Sequence, residues 1–306
     1  MNIKHLKLRF IEAIKTPTTL VIGTFDGVHR GHLKLLEKAK ETGNDIAVLL
    51  IYTTKQVFKE HQKTGVLTSL EDRVNMFKKH GVSSIYFLNI ENEVALLSPS
   101  EFIFHILFPL GPKAVIIGED FRFGRKAAGD TRFLRDYCGQ LFELIIVEPL
   151  LEGNEVISTT LIKQKLQEGK MKEAKNMLGY YYGLTGFVVK GYGLGNKLGF
   201  PTANINLDPH YFLPRFGVYL VEVTYEDKKY YGMANLGFHP TVNEISMPLL
   251  EVNIFDFEGD IYHKVLAVKF LNHLRDEEKL PNIESLIAKI EEDRIKCVKL
   301  IEEGDF

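Results

Sequence analysis

His29 and His32 stand three residues apart in the stretch GTFDGVHRGH, residues 23–32, directly after the apolar run TTLVI. Either this is a turn in which each imidazole finds a local hydrogen bond, or it is a site that needs both rings. The run ends at Gly23 as a buried strand would, and Leu35, Leu36 and Ala39 mark a helix whose first turn holds His32. If the pair flanks that helix start, the spacing of three sets both rings on one side, above the helix N-terminus. Unsatisfied N–H groups and the helix dipole favour an anion there, such as a phosphate.

A second cluster lies in GFVVKGYGLGNKLGFPTANI, where five glycines fall between Gly186 and Gly199 and are followed by Pro201, Thr202, Ala203 and Asn204. Glycines that dense let a backbone bend close around a phosphate chain, and Thr and Asn offer neutral oxygens to phosphates or magnesium. Gly-rich turns are also common in barrels, so this reading stays open on the residues alone. Glu251, between Leu250 and Val252, is an acid on an apolar strand. It is either a base aimed at a substrate or a residue facing solvent from a barrel's outer side. Asp256 and Asp260 read as turn or surface residues.

The elements that must position these residues follow from periodicity. Residues 18–23, 45–52, 84–88, 113–118 and 142–147 are short apolar runs suited to a buried parallel sheet. Helices separate them: SLED at Ser69–Asp72 opens one, and Ser98, Pro99 and Glu101 form the N-cap, first helical position and capping box of another. Strand and helix in alternation predict a doubly wound α/β domain with its ligand site beyond the carboxyl ends of the strands. Helical segments at 159–168 and 170–178 are expected to finish it. After Gly183 the texture turns to strand runs at 184–190, 217–225, 229–235, 250–257 and 261–270, which reads as a small antiparallel barrel. A closing amphipathic helix places Ile283, Leu286, Ile287 and Ile290 on one stripe, expected to pack on that barrel. The domains are therefore drawn at 1–183 and 184–306.

Composition narrows the function. The 306 residues carry 38 Lys and Arg against 40 Asp and Glu, a formal charge of -2, which points away from nucleic acid and from polybasic membrane attachment. Two cysteines, Cys138 and Cys297, are too few and too distant for a disulfide framework or a Cys-based metal site, which fits a reducing, cytoplasmic setting. The N-terminus lacks the apolar core of an export signal, and no apolar run approaches the roughly 18 residues of a membrane span.

GTFDGVHRGH resembles the signature of the FAD synthetase module of prokaryotic bifunctional riboflavin kinase/FMN adenylyltransferases, a variant of the H-x-G-H nucleotidyltransferase motif. GEDFRFGRKAAGD (residues 118–130) and ISTTLIKQ (residues 157–164) stand where that family has its further motifs, and the G-x-x-P-T-A-N form resembles the ATP signature of riboflavin kinases, which use a six-stranded antiparallel barrel. The resemblance covers essentially the whole chain. It implies that riboflavin and ATP give FMN in the barrel, and that FMN and ATP give FAD and pyrophosphate in the Rossmann-like nucleotidyltransferase domain. In the second reaction the nucleophile is an FMN phosphate, already anionic, so positioning and charge neutralisation suffice. That role suits His29 and His32 on the ATP phosphates, with the loop at Gly23, Phe25, Asp26 and Gly31, the hydroxyls of Ser158, Thr159 and Thr160, and the cation of Lys163. Asp120, Phe123 and Gly124 are implied in the nucleotide site. In the kinase the riboflavin hydroxyl is neutral and needs a base, a part that falls on Glu251 by resemblance. Gly195, Gly199, Pro201, Thr202 and Asn204 are implied for ATP, with Mg2+ on Thr202 and Asn204. The chain departs from the family pattern at Tyr52, Thr53 and Thr54, at Lys163 in place of Arg, and at Asn196, His239, Asn253 and His263. Three alternatives stay open: a chain that keeps only the adenylyltransferase, a flavin-sensing regulator without turnover, and an H-x-G-H nucleotidyltransferase for another phosphate.

Overall fold

The computed structural model describes residues 1–53, 65–139, 141–191, 195, 198–238, 248–304 and 306. Thr54, Asn196 and His239 therefore lie outside the described residues.

Packing divides the chain into two compact units, Met1–Val57 with Thr68–Thr159, and Phe58–Leu67 with Thr160–Phe306. The first runs β1 (Asn2–His5), β2 (Thr18–Gly23), α1 (Arg30–Lys40), β3 (Asp45–Tyr52), α2 (Leu70–Lys79), β4 (Ser84–Asn89), β5 (Ala114–Gly118), α3 (Thr131–Cys138) and β6 (Glu143–Val147), then a hairpin of β7 (Leu151–Glu152) and β8 (Glu155–Val156). The six longer strands form one parallel sheet in the order β1-β4-β3-β2-β5-β6. The strand runs are apolar throughout because both faces are covered. Leu20, Ile22 and Leu49 pack with Phe102, Ile106 and Leu107 on one side, and Val21, Val48 and Leu50 with Leu36 and Phe77 on the other. The capping signals hold: Ser69 and Ser98 each accept the N–H of the residue three further on, and Asp72 and Glu101 accept in return. β1 has no counterpart among the runs picked from sequence. It is an edge strand with mostly exposed residues, so it carries no apolar pattern to detect.

The second unit contains α4 (Thr159–Gln167), which starts at the junction, and α5 (Met171–Leu178). A closed barrel follows: β9 (Gly183–Val189), β10 (Ala203–Leu207), β11 (Gly217–Tyr225), β12 (Lys228–Phe238), β13 (Pro248–Ile254) and β14 (Val265–Arg275), in the order β10-β13-β12-β11-β14-β9. Packing adds two features to the sequence reading, and the stripe expected on the last helix is corrected. The helices expected to finish the first domain pack in the second unit from Thr160 onward. Residues 65–67 join that unit as well, Val66 N–H donating to His210 O at 2.7 Å and Phe212 N–H to Val66 O at 2.8 Å. The last helix, α6 (Ile283–Glu303), leaves Ile283 and Ile287 exposed and buries Asp293 and Cys297 instead, with Ile290, Leu300 and Ile301 packing near Val218, Leu220 and Met233 of the barrel. The buried stripe thus begins near the middle of the helix. Arg275 donates to Asp293 at 2.8 Å, pairing the charge that the helix carries into the contact.

Candidate active sites

The strand order makes β2 and β5 neighbours from which successive connections run in opposite directions, so the crevice beyond their carboxyl ends is the switch point of the sheet. The two motif loops of this unit leave those two strands. The histidine loop follows β2, and residues 118–130 follow β5.

His29 is the N-cap of α1, and its Nδ1 accepts the N–H of His32 at 3.3 Å. An accepting Nδ1 puts the proton of the neutral ring on Nε2. The two imidazoles stack with centroids 3.6 Å apart, and His32 meets Phe25 edge-on at 5.1 Å. Gly31 permits the stack, because a Cβ there would lie 3.1 Å from the His29 ring. Burial pushes His29 down to about 4, partly offset by Asp26. Burial also holds His32 well below the usual histidine range, assisted by His29 and Arg73. Before substrate arrives both rings are therefore neutral at pH 7, at a helix N-terminus with no acid in its first turn.

The rest of the loop is held by burial and hydrogen bonds. Phe25 is fully buried with φ of 54° and packs edge-on against Phe77, so its side chain supports His32 and does not line a ligand cavity. Asp26 takes Arg73 Nη2 at 3.1 Å and the Thr68 N–H at 3.2 Å, while its carbonyl accepts Thr159 Oγ1 at 2.9 Å. Arg73 also donates to Thr24 O, Thr68 O and Thr68 Oγ1, and is 4 % exposed. Sequence reasoning missed it, although a charge on the apolar stripe of Leu70, Val74 and Phe77 was a readable signal. Thr159, the last residue of the first unit, is thus held to the loop, with Ser158 just before it. Lys163 Nζ stands 5.5 Å above the Phe212 ring. Asp120 is exposed at the end of β5, beside Gly118, where a Cβ would lie 2.9 Å from Asp120 Oδ1. Phe123 is 4 % exposed and packs with Phe102 and Phe121, so its ring belongs to the core. Gly124 has φ of +72° and lies against Pro99, where a Cβ would fall 2.9 Å from the Pro99 nitrogen.

In the barrel, Asn204 on β10 and Asn235 on β12 are both register partners of Glu251 on the intervening β13. Leu250 and Val252 are fully buried, so Glu251 projects from the opposite, outer face of the strand together with Asn253. The outer-face alternative is therefore right in geometry, but the surroundings are polar and partly enclosed. Asn204 is 8 % exposed and Glu251 is half-buried. Asn235 Nδ2 donates to Glu277 Oε1 at 3.2 Å. β10 itself was not among the expected strands, since its first residues, Ala203 and Asn204, close the glycine-rich motif.

Gly191 and Gly195 approach this face closely. A Cβ on Gly191 would come within 2.2 Å of Asn204 Nδ2, and one on Gly195 within 2.4 Å of Phe200 O and 3.0 Å of Thr202 Oγ1. Gly199 takes φ of +87°, a conformation other residues rarely adopt. Thr202 also edges a cavity of about 280 Å3 lined by Val188, Val252, Ile254, Phe257 and Tyr262. His263, with φ of 61°, donates its N–H to Val188 O at 2.9 Å and so serves the turn into β14.

A parallel sheet with paired histidines at its switch point, joined in one chain to a closed barrel with a glycine loop over Thr and Asn, defines a two-module enzyme that handles nucleotide phosphates. Residues 11–161 match the family model for FAD synthetase and residues 178–301 that for riboflavin kinase. The chain belongs to the bifunctional riboflavin kinase/FMN adenylyltransferases. It is 34% identical over 280 residues to the member from Listeria monocytogenes, covering 90% of this chain and 89% of that protein. To the Bacillus subtilis member it is 30% identical over 297 residues, covering 94% of each. A crystal structure from Streptococcus pneumoniae described as a macrolide-efflux protein superposes with a TM-score of 0.85 at 29% identity, covering 96% of this chain and 98% of that one. Among the described residues no helix is long and apolar enough to cross a membrane.

Proposed function

We propose that this chain carries out both reactions, phosphorylating riboflavin at the barrel and adenylylating the resulting FMN at the parallel sheet. The observation that carries the kinase half is the register of Glu251 opposite Asn204, beneath a glycine loop that also touches Thr202. Glu251 then accepts the proton of the riboflavin hydroxyl as it attacks the γ-phosphate. Thr202 and Asn204 hold the phosphates, and the cavity beside Thr202, lined by Val188, Phe257 and Tyr262 together with Asp260, suits a flat heterocycle with polar edges such as adenine.

In the adenylyltransferase half, the FMN phosphate attacks the α-phosphorus of ATP and pyrophosphate leaves. His29 offers Nε2–H, and the first turn of α1 offers backbone donors to the phosphate chain. His29 works as a neutral donor, since protonating Nδ1 would break its hydrogen bond with the N–H of His32. Asp120 sits at the mouth of the β2/β5 crevice, where it is placed to meet the nucleotide.

ATP-dependent transfers of this kind use a divalent metal ion, and we assign Mg2+. The donors on the barrel face are hard oxygens, from Thr202, Asn204 and Glu251, which fits Mg2+. Among the described residues there is no group of three or more His, Cys, Asp or Glu able to hold a metal, so the ion is carried chiefly by the nucleotide. The near-neutral charge and two free, buried cysteines support a cytoplasmic protein acting on small molecules.

The test is chromatographic. Pure protein with Mg-ATP and riboflavin is expected to give FMN and then FAD, and with Mg-ATP and FMN to give FAD. FAD only from supplied FMN would leave a single-activity adenylyltransferase, and no product from either would refute the enzyme reading.

A further inference from the structure

Asn253 stands two residues after Glu251, on the same outer face of β13. It is 9 % exposed, and its Nδ2 donates to the carbonyl of Pro201 at 2.7 Å. The β10–β13 ladder includes Ala203 with Val252 and Asn204 with Glu251, so Pro201 lies past its β10 end. The Asn253 side chain carries the pairing one step further, to the residue just before Thr202. On its other side Thr202 lies beside Gly195, whose carbonyl accepts the Phe200 N–H at 2.9 Å. Thr202 is thus held between the loop and the strand that bears Glu251.

We propose that Asn253 is a positioning residue of the kinase site: its amide sets the Pro201–Thr202 backbone at a fixed separation from Glu251, so that the phosphate-holding face and the base meet one substrate. The proposal rests on the kinase reading above. Reach and an N–H donor are what the position requires. The amide meets both here, and an imidazole can meet both.

The test uses the full-length enzyme and the variants Asn253→Asp, Asn253→Ala and Asn253→His, with kcat and KM for ATP measured for FMN formation, FAD formation from FMN, and the thermal midpoint. Aspartate is isosteric but cannot donate when ionised. It and alanine are expected to raise KM for ATP about tenfold, the scale of one lost hydrogen bond, with a smaller change in kcat. Histidine is expected to recover most of that loss, and FAD formation from FMN to be unchanged in all three. Kinetic constants for Asn253→Asp within twofold of the unsubstituted enzyme would overturn the proposal, as would histidine no better than alanine. A fall in FAD formation that tracks a lowered midpoint would also overturn it, by showing a role in the scaffold alone. An unsubstituted enzyme that makes no FMN removes the kinase reading and the proposal with it, an outcome set apart by that control.

Discussion

At the scale of single residues, burial decides how the paired histidines work. His29 is held near 4 in the folded protein against about 6.5 for an ordinary histidine, so between those values the unfolded chain binds a proton that the folded one does not. Stability from this group is complete above pH 6.5 and declines as the pH falls toward 4, with about 2 kcal/mol gone by pH 5. His29→Asn keeps a capping side chain but cannot titrate. Urea unfolding at pH 7 and pH 5 is therefore expected to show a smaller pH dependence for the variant, and an equal one would place the titration elsewhere. Arg73 is the second case, a buried guanidinium that pairs Asp26 and spans the loop. Arg73→Met leaves the Asp26 carboxylate buried without this cation, at a cost of about 3–5 kcal/mol in unfolding free energy, which denaturant titration measures. The histidines were legible from type and spacing. Their neutral state was not, because it depends on burial that no spacing reports.

At the scale of elements, the caps and the central strands were legible because their signals are local. Ser69 and Ser98 cap as their neighbours dictate, and β2 and β3 end where their apolar runs end. β10 was hidden because its alternation, ANINL, is short and follows a glycine loop, so the motif drew attention from the strand. In the proposed kinase site that strand brings Asn204 opposite Glu251, while Gly191 and Gly195 lie against Asn204 and Thr202. Gly195→Ala tests the closeness of that approach, since a Cβ would sit 2.4 Å from the carbonyl of Phe200, a backbone atom with little freedom to move. FMN formation is expected to fall by at least tenfold through a higher KM for ATP, and FAD formation from FMN to persist. Unchanged FMN formation would mean that the loop does not hold phosphate in this conformation.

At the scale of the whole molecule, the change of texture near Gly183 marks the first barrel strand, while the packing boundary comes earlier, at Thr159 and Thr160. The difference is physical: α5 packs on β14, and residues 65–67 pair with residues 210–212, contacts remote in sequence that periodicity cannot display. Each unit nonetheless has its own core, and each proposed reaction uses residues of its own module, Glu251 in one and His29 in the other. Reciprocal lesions follow. Glu251→Gln removes the base but keeps size and hydrogen bonding, so FMN formation is expected to drop by about 10²–10⁴ while FAD still forms from supplied FMN. His29→Ala removes a phosphate donor and the cap of α1, so FAD formation is expected to drop by about 10²–10³ while riboflavin is still converted and FMN accumulates. Mixing the two variants with riboflavin and Mg-ATP completes the argument: FMN made by the His29 variant is substrate for the Glu251 variant, so FAD appears in the mixture although neither protein alone makes it from riboflavin. A mixture without FAD, with each single activity intact, would show that the intermediate does not pass through solution.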